Sequence, residues 1–194
     1  PEVSANILTS DDFDDNNDAN WTRLKGDWIA EHGRYEGHGD ALSVCGDVNW
    51  ENYMLQAETL VRSTEQIWPG LAFRVQTNSN YYLFKITPGA TDTLGNNVYL
   101  LKVINNNVVQ SWKKAINCPA KEEPYRLMVK ANGGKIECYV DAKLVLDNTT
   151  NPPDSTPIPN GKIGLVCANG QASVFDNVIV RQIGYFFIQK TGGK

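Results

Sequence analysis

The sequence lacks any run of roughly 18 apolar residues, so it offers no candidate transmembrane helix. It has no C-x-x-C pair among Cys45, Cys118, Cys138 and Cys167, which disfavours zinc ribbons and thioredoxin-type redox motifs. Basic charge is scarce and scattered: 18 Lys and Arg stand against 22 Asp and Glu, for a net charge of −4. A cationic stripe of the kind that tracks phosphates is therefore missing, and nucleic acid is not an expected partner. No helical period extends beyond a few residues. The opening PEVSANILTS lacks the basic and apolar regions of a signal peptide, so the chain is expected to be a soluble, mature or excised piece of a larger protein.

What is present reads as strands. At 194 residues the length suits one large β-domain. From Trp21 onward, short segments punctuated by glycine follow one another: TRLKG, DWIAEHG, RYEGHG and ALSVCG. A longer strand, NYMLQAETLVRS, places Tyr53, Leu55, Ala57, Thr59 and Val61 on one side, with Met54, Gln56, Glu58, Leu60 and Arg62 on the other. GLAFRVQTNSNYYLFKI reads as a hairpin turning at Asn78-Ser79-Asn80, with Phe73 and Val75 alternating against Arg74 and Gln76. Asn105-Asn106-Asn107, Asn132-Gly133-Gly134 and Asp141-Ala142 mark further tips. The Pro-rich NPPDSTPIPNGK is expected as a surface loop, followed by strands KIGLVCA and ASVFDNVIV. The expected fold is an all-β, two-sheet antiparallel sandwich over residues 1–182, with 183–194 as an edge strand or C-terminal tail.

Four cysteines allow three disulfide connectivities, or else buried thiols, and the sequence does not choose between them. Asn20-Trp21-Thr22 and Asn148-Thr149-Thr150 match the glycosylation tripeptide. The acidic block around Phe13 reads either as solvated turns or as oxygen ligands for a hard cation; it lacks the EF-hand glycine and distal glutamate.

The order of these fragments resembles the concanavalin A-like jelly-roll domains, which include laminin G-like modules, legume-lectin-like folds and carbohydrate-binding modules. The resemblance rests on DDF at Asp11, W-x(6)-W from Trp21, GLAFR at Gly70, NYYLFKI at Asn80, YRLMVKANGGKIECYVDAKLV at Tyr125, GKIGLVCAN at Gly161 and FDNVIV at Phe175. It looks most like the fructan-binding modules appended to levan-degrading enzymes and the sugar-hydrolase domains sharing their pattern. The resemblance implies a secreted, extracellular module of a multidomain protein, with carbohydrate as its partner. It also implies a structural calcium near the chain ends, for which Asp12 and Asp176 lead, with Asp11 and Asp14 as neighbours.

Catalysis has little material. Paired carboxylates are the usual requirement for glycoside hydrolysis, and the E-x-D-x-x-E strand of retaining glycosidases with this fold is missing. Only His32 and His38 are available for a histidine-based scheme. The expectation is a non-catalytic carbohydrate-binding module. A hydrolase or lyase of the same fold and a laminin G-like adhesion module are the alternatives. The expected sugar ligands are Glu58 facing Arg74, a pair that reads equally as a cross-strand salt bridge, with Tyr81 and Lys85 outward on the next strand. Trp68 and Trp112 are the expected aromatic platforms.

Overall fold

The computed structural model describes residues 6–61, 68–87, 96–119, 121–149, 152–168 and 172–184. Among them the regular structure is antiparallel β, in thirteen strands: β1 (Ile7–Asp11), β2 (Thr22–Glu31), β3 (Arg34–Cys45), β4 (Tyr53–Val61), β5 (Trp68–Thr77), β6 (Asn80–Thr87), β7 (Asn97–Ile104), β8 (Asn107–Ala115), β9 (Lys121–Asn132), β10 (Lys135–Val140), β11 (Lys143–Asp147), β12 (Lys162–Ala168) and β13 (Ser173–Gln182). This is the all-β jelly-roll sandwich that the strand pattern led us to expect. The expected tail beyond Gly184 lies outside the described residues.

The strands hydrogen-bond in the order β11-β10-β9-β4-β13-β3-β12-β5-β6-β7-β8, with β1 on β13 and β2 on β3. One half, β11 to β13, makes the first layer and the other, β12 to β8, the second. Strand β3 joins them: Tyr35 to Gly37 pair with β13, whereas Ala41 to Cys45 pair with β12. RYEGHG and ALSVCG are thus one strand that changes layers. Gly39, at φ +74° and with open space where a Cβ would stand, sits at the change.

Tight turns set the register. Asn105 and Asn106 (φ 51° and 62°) connect β7 to β8, and Asp141 and Ala142 (φ 48° and 66°) connect β10 to β11. Two successive positive φ angles match the right-handed strand twist, and asparagine and aspartate tolerate them through short polar side chains. Between the layers lies one core with Phe13, Trp28, Tyr35, Tyr53, Phe73, Tyr82, Phe84, Trp112 and Phe175 among its buried side chains. Val75, Leu83, Leu42, Val44, Ala72 and Val166 form a separate buried cluster on the outer side of the second layer, with Leu24, Tyr81 and Leu101 packed against it.

All four cysteines are free and buried, which settles the open choice in favour of thiols. Burial raises each thiol above its ordinary value, to about 12 at Cys45, which keeps it in the unreactive protonated form. Asn148 of the second glycosylation tripeptide is buried, accepting from Ile136 N–H at 2.8 Å and donating to Gly134 O at 2.8 Å. Its amide is committed to the fold.

Candidate functional site

Arg74 is where the alternation expected of the hairpin fails. Its φ is +50°, and the pairing of β5 with β6 loses register between Phe73 and Thr77. A β-bulge inserts a residue without a partner and turns the side chains that follow. Phe73 stays in the main core, Val75 crosses to the outer cluster, and Arg74 points inward with no exposed surface. Its guanidinium donates to Ile158 O at 2.6 Å, to Glu51 O at 3.3 Å and to Gly133 O, while its own N–H donates to the Tyr53 hydroxyl at 2.8 Å. Burial lowers its pKa, opposed by the nearby Tyr53, Tyr82, Glu51 and Asp154. Arg74 thus ties three loops to the core from inside and does not face Glu58.

Glu58 lies on the outer side of the other layer. Arg126 donates to its Oε1 at 2.8 Å and Asn177 to its Oε2 at 3.2 Å. Asp176 stands directly opposite it on β13, before the bulge at Asn177 (φ 50°). These two carboxylates border a cavity of about 120 Å³ with Arg34, Glu122 and Pro124. Burial raises the Asp176 carboxyl, and the negative charges of Glu58 and Asp14 raise it further against Arg34.

The acidic block divides its labour. Asp11 accepts from Phe13 N–H at 3.0 Å and from the Trp21 indole at 2.8 Å, so both of its oxygens serve the fold. Asp12 accepts from Asp14 N–H at 3.3 Å and is otherwise exposed. Among the described residues no group of three or more His, Cys, Asp or Glu converges on one point. The negative charge of Asp14 reaches the Asp176 carboxyl, and any cation there would take its remaining oxygens from amides and carbonyls.

Trp112, expected as an aromatic platform, is instead in the core. It is opposite Leu100, is 4% exposed and donates its indole N–H to Pro152 O at 3.0 Å. Beneath it, Lys102 meets Asp154 of the Pro-rich loop at 2.8 Å, and the Tyr82 hydroxyl donates to the same carboxylate. Burial by itself raises Asp154, but Lys102 and Tyr82 outweigh it and leave the pKa lowered. The loop is thereby fastened to the interior.

The three other expected ligands share one surface, the outer side of the second layer. Tyr81, Leu83 and Lys85 alternate outward along β6, while Tyr82, Phe84 and Ile86 face the core. Lys85 pairs with Gly70 on one side and Tyr99 on the other, and Tyr99 pairs with Lys113. These residues form a row across four strands. Lys85 Nζ lies 4.2 Å from the Trp68 ring centroid and 5.5 Å from that of Tyr99, and Lys113 Nζ lies 5.4 Å from Tyr99. Gly70 makes room for this arrangement, since a Cβ there would meet Lys85 Cβ at 2.9 Å and Leu83 Cδ1 at 2.7 Å. Burial lowers the Lys85 pKa, and Asp40, exposed on β3, opposes it. Lys25, from β2 at one margin of this layer, donates to Asn106 Oδ1 at 3.1 Å in the β7–β8 turn at the other. Because Leu24 beside it packs on the outer cluster, we read this face as curved in on itself, forming a concave floor.

Tyr99 and Lys113 escaped the sequence reading, although alternation could have found Tyr99. Val98 and Leu100 are apolar and inward, so Tyr99 is outward, and Lys113 follows from its pairing with Tyr99.

No protein-family model matches the chain, and no curated protein matches its sequence. Solved structures do match its shape. The carbohydrate-binding module CBM66 from Bacillus subtilis superposes with a TM-score of 0.67 at 22% identity, covering 86% of this chain and 98% of its own. A protein of unknown function with a galectin-like fold from Bacillus subtilis gives 0.68 at 12% identity, covering 91% and 96%. A prokaryotic β-1,3-1,4-glucanase derived from a mouse hindgut metagenome gives 0.67 at 14%, covering 90% and 99%. The chain therefore has the concanavalin A-like jelly-roll fold.

Proposed function

We propose that the chain is a carbohydrate-binding module whose sugar lies on the concave face of the second layer. The observation that carries this reading is the row Trp68–Lys85–Tyr99–Lys113, which sets aromatic rings and hydrogen-bond donors side by side on an open surface. A sugar offers a C–H face to a ring and hydroxyls to polar groups, so this combination meets both needs. Two of its structural neighbours, a carbohydrate-binding module and a β-glucanase, support a glycan as ligand. On this reading the protein acts outside the cell, attached to a glycan-active or surface protein. Binding to a glycan array tests it: Trp68→Ala is expected to weaken binding about tenfold, taking the loss of one stacking contact as roughly 1–2 kcal/mol. Undiminished binding by that variant would contradict the site. Retention of a protein and of no glycan would favour an adhesion module.

A hydrolytic reading draws on a different place, the opposed carboxylates Glu58 and Asp176 with the raised pKa of the latter. A general acid must be protonated beside an ionised partner, and Glu58, which accepts hydrogen bonds from Arg126 and Asn177, stands opposite Asp176 as the second carboxyl group. Release of reducing sugar that disappears in Asp176→Asn would support it. The structural calcium is proposed on narrower terms, through Asp14 and Asp176 with Asp12 nearby. A chelator would then lower the melting temperature of the native chain and leave Asp176→Asn unchanged. Equal melting with and without chelator would remove the cation from the account.

A further inference from the structure

We propose that the glycan held on the concave face is anionic, carrying carboxylate or sulfate groups; this rests on the reading of that face as the sugar site. Among the described lysines some meet carboxylates and some lie over rings, and Lys121 does both, 4.0 Å from the Tyr125 ring centroid. Lys130 and Lys135 meet Glu137 at 3.7 and 2.6 Å, and Lys121 meets Asp141 at 3.4 Å, so their charges are spent within the fold. Lys85 and Lys113 instead lie over aromatic rings, and neither has an ion pair with a carboxylate among the described residues. A ring face attracts an ammonium through its quadrupole but carries no net charge, so the cation keeps its full charge for a ligand.

Geometry adds a spacing. Lys85 and Lys113 stand on strands separated by one other strand, about 10 Å apart by two interstrand steps. An oligosaccharide crossing the strands would meet a ring, a cation, a ring and a second cation in turn. Asp40 contributes the one carboxylate near Lys85 that its pKa registers, which leaves the row cationic on a chain of net charge −4. General attraction of the whole protein to polyanions is therefore opposed, and retention by one would have to come from a local site.

Affinity electrophoresis in gels containing polygalacturonate, dextran sulfate or carboxyl-reduced polygalacturonate tests the proposal and separates the two anion sources. Retardation is expected in at least one anionic gel and not in the neutral one, weakening as salt is added. Lys85→Gln and Lys113→Gln are each expected to lose about tenfold in affinity, the size of one charge-assisted contact. Lys135→Gln, on the other layer, should bind as the native chain does. Retention in the neutral gel that Trp68→Ala abolishes and Lys85→Gln leaves intact would overturn the anionic specificity and keep the sugar site. Failure to bind any of these polymers or any member of an array of uronate-bearing, sulfated and neutral glycans would overturn both.

Discussion

The two outer faces of the sandwich spend their charges in opposite ways. On the face of β4, β9 and β10, two carboxylates are engaged within the fold: Glu58 has Arg126 and Asn177, and Glu137 has Lys130 and Lys135. On the face of β5 to β8, the cations rest on rings. A surface whose polar groups already satisfy one another gains little by exchanging them for a ligand, since it must first give up what it has. A surface that holds its cations by π-faces gives up less. This difference, more than any single residue, directs us to the concave face.

The largest effect expected comes from neither face but from the residue between them. Arg74→Ala would leave the carbonyls of Ile158, Glu51 and Gly133 without their donor and open a cavity, a loss on the order of 4 kcal/mol in stability measured by urea unfolding. Glycan affinity per folded molecule should not change. A variant that keeps its stability but loses glycan binding would return Arg74 to the sugar site and break the comparison.

Next in size is the anchor beneath the concave layer. Lys102→Met strands Asp154, whose side chain is 1% exposed, at a cost of about 3 kcal/mol. The same pair gives a pH signature. Asp154 has a lowered pKa in the folded state, so its contribution is complete above the ordinary aspartate value of 3.8 and is lost as pH falls through the lower folded value. Native protein should therefore lose stability steeply in that acid range, and Asp154→Asn should flatten the loss.

The smallest effect belongs to the paired face. Arg126 has a half-exposed side chain, and an exposed pair contributes little, so Arg126→Ala should cost less than about 1 kcal/mol and leave glycan affinity as it was. A several-fold fall in affinity would sharpen the comparison the other way, by placing a ligand against Glu58.

How much of this could be read beforehand follows from what alternation can and cannot carry. Strand β4 has the side-chain faces its sequence announces, because every second residue from Tyr53 to Val61 is buried. The tip at Asn105-Asn106 was legible because few residue types tolerate its φ, and Asp141 marked the next tip for the same reason, although Ala142 beside it also takes a positive φ. Tyr81 outward and Tyr82 inward followed from the same period. Arg74 did not, since one positive φ reverses the parity of the strand, and arginine is not a residue that advertises a bulge. Nor did Trp112, whose apparent place near a loop tip concealed its register with Leu100. The cation–aromatic row was out of reach because it depends on pairing between four strands, and a single segment does not reveal its neighbours.

The most direct test of the account is to titrate isotopically labelled protein with a bound glycan and follow its amide and indole resonances residue by residue. The account predicts shifts concentrated at Trp68, Tyr81, Lys85, Tyr99 and Lys113, with Glu58, Arg126 and Asp176 unmoved. Shifts centred on Glu58 and Asp176, with the concave row silent, would contradict it.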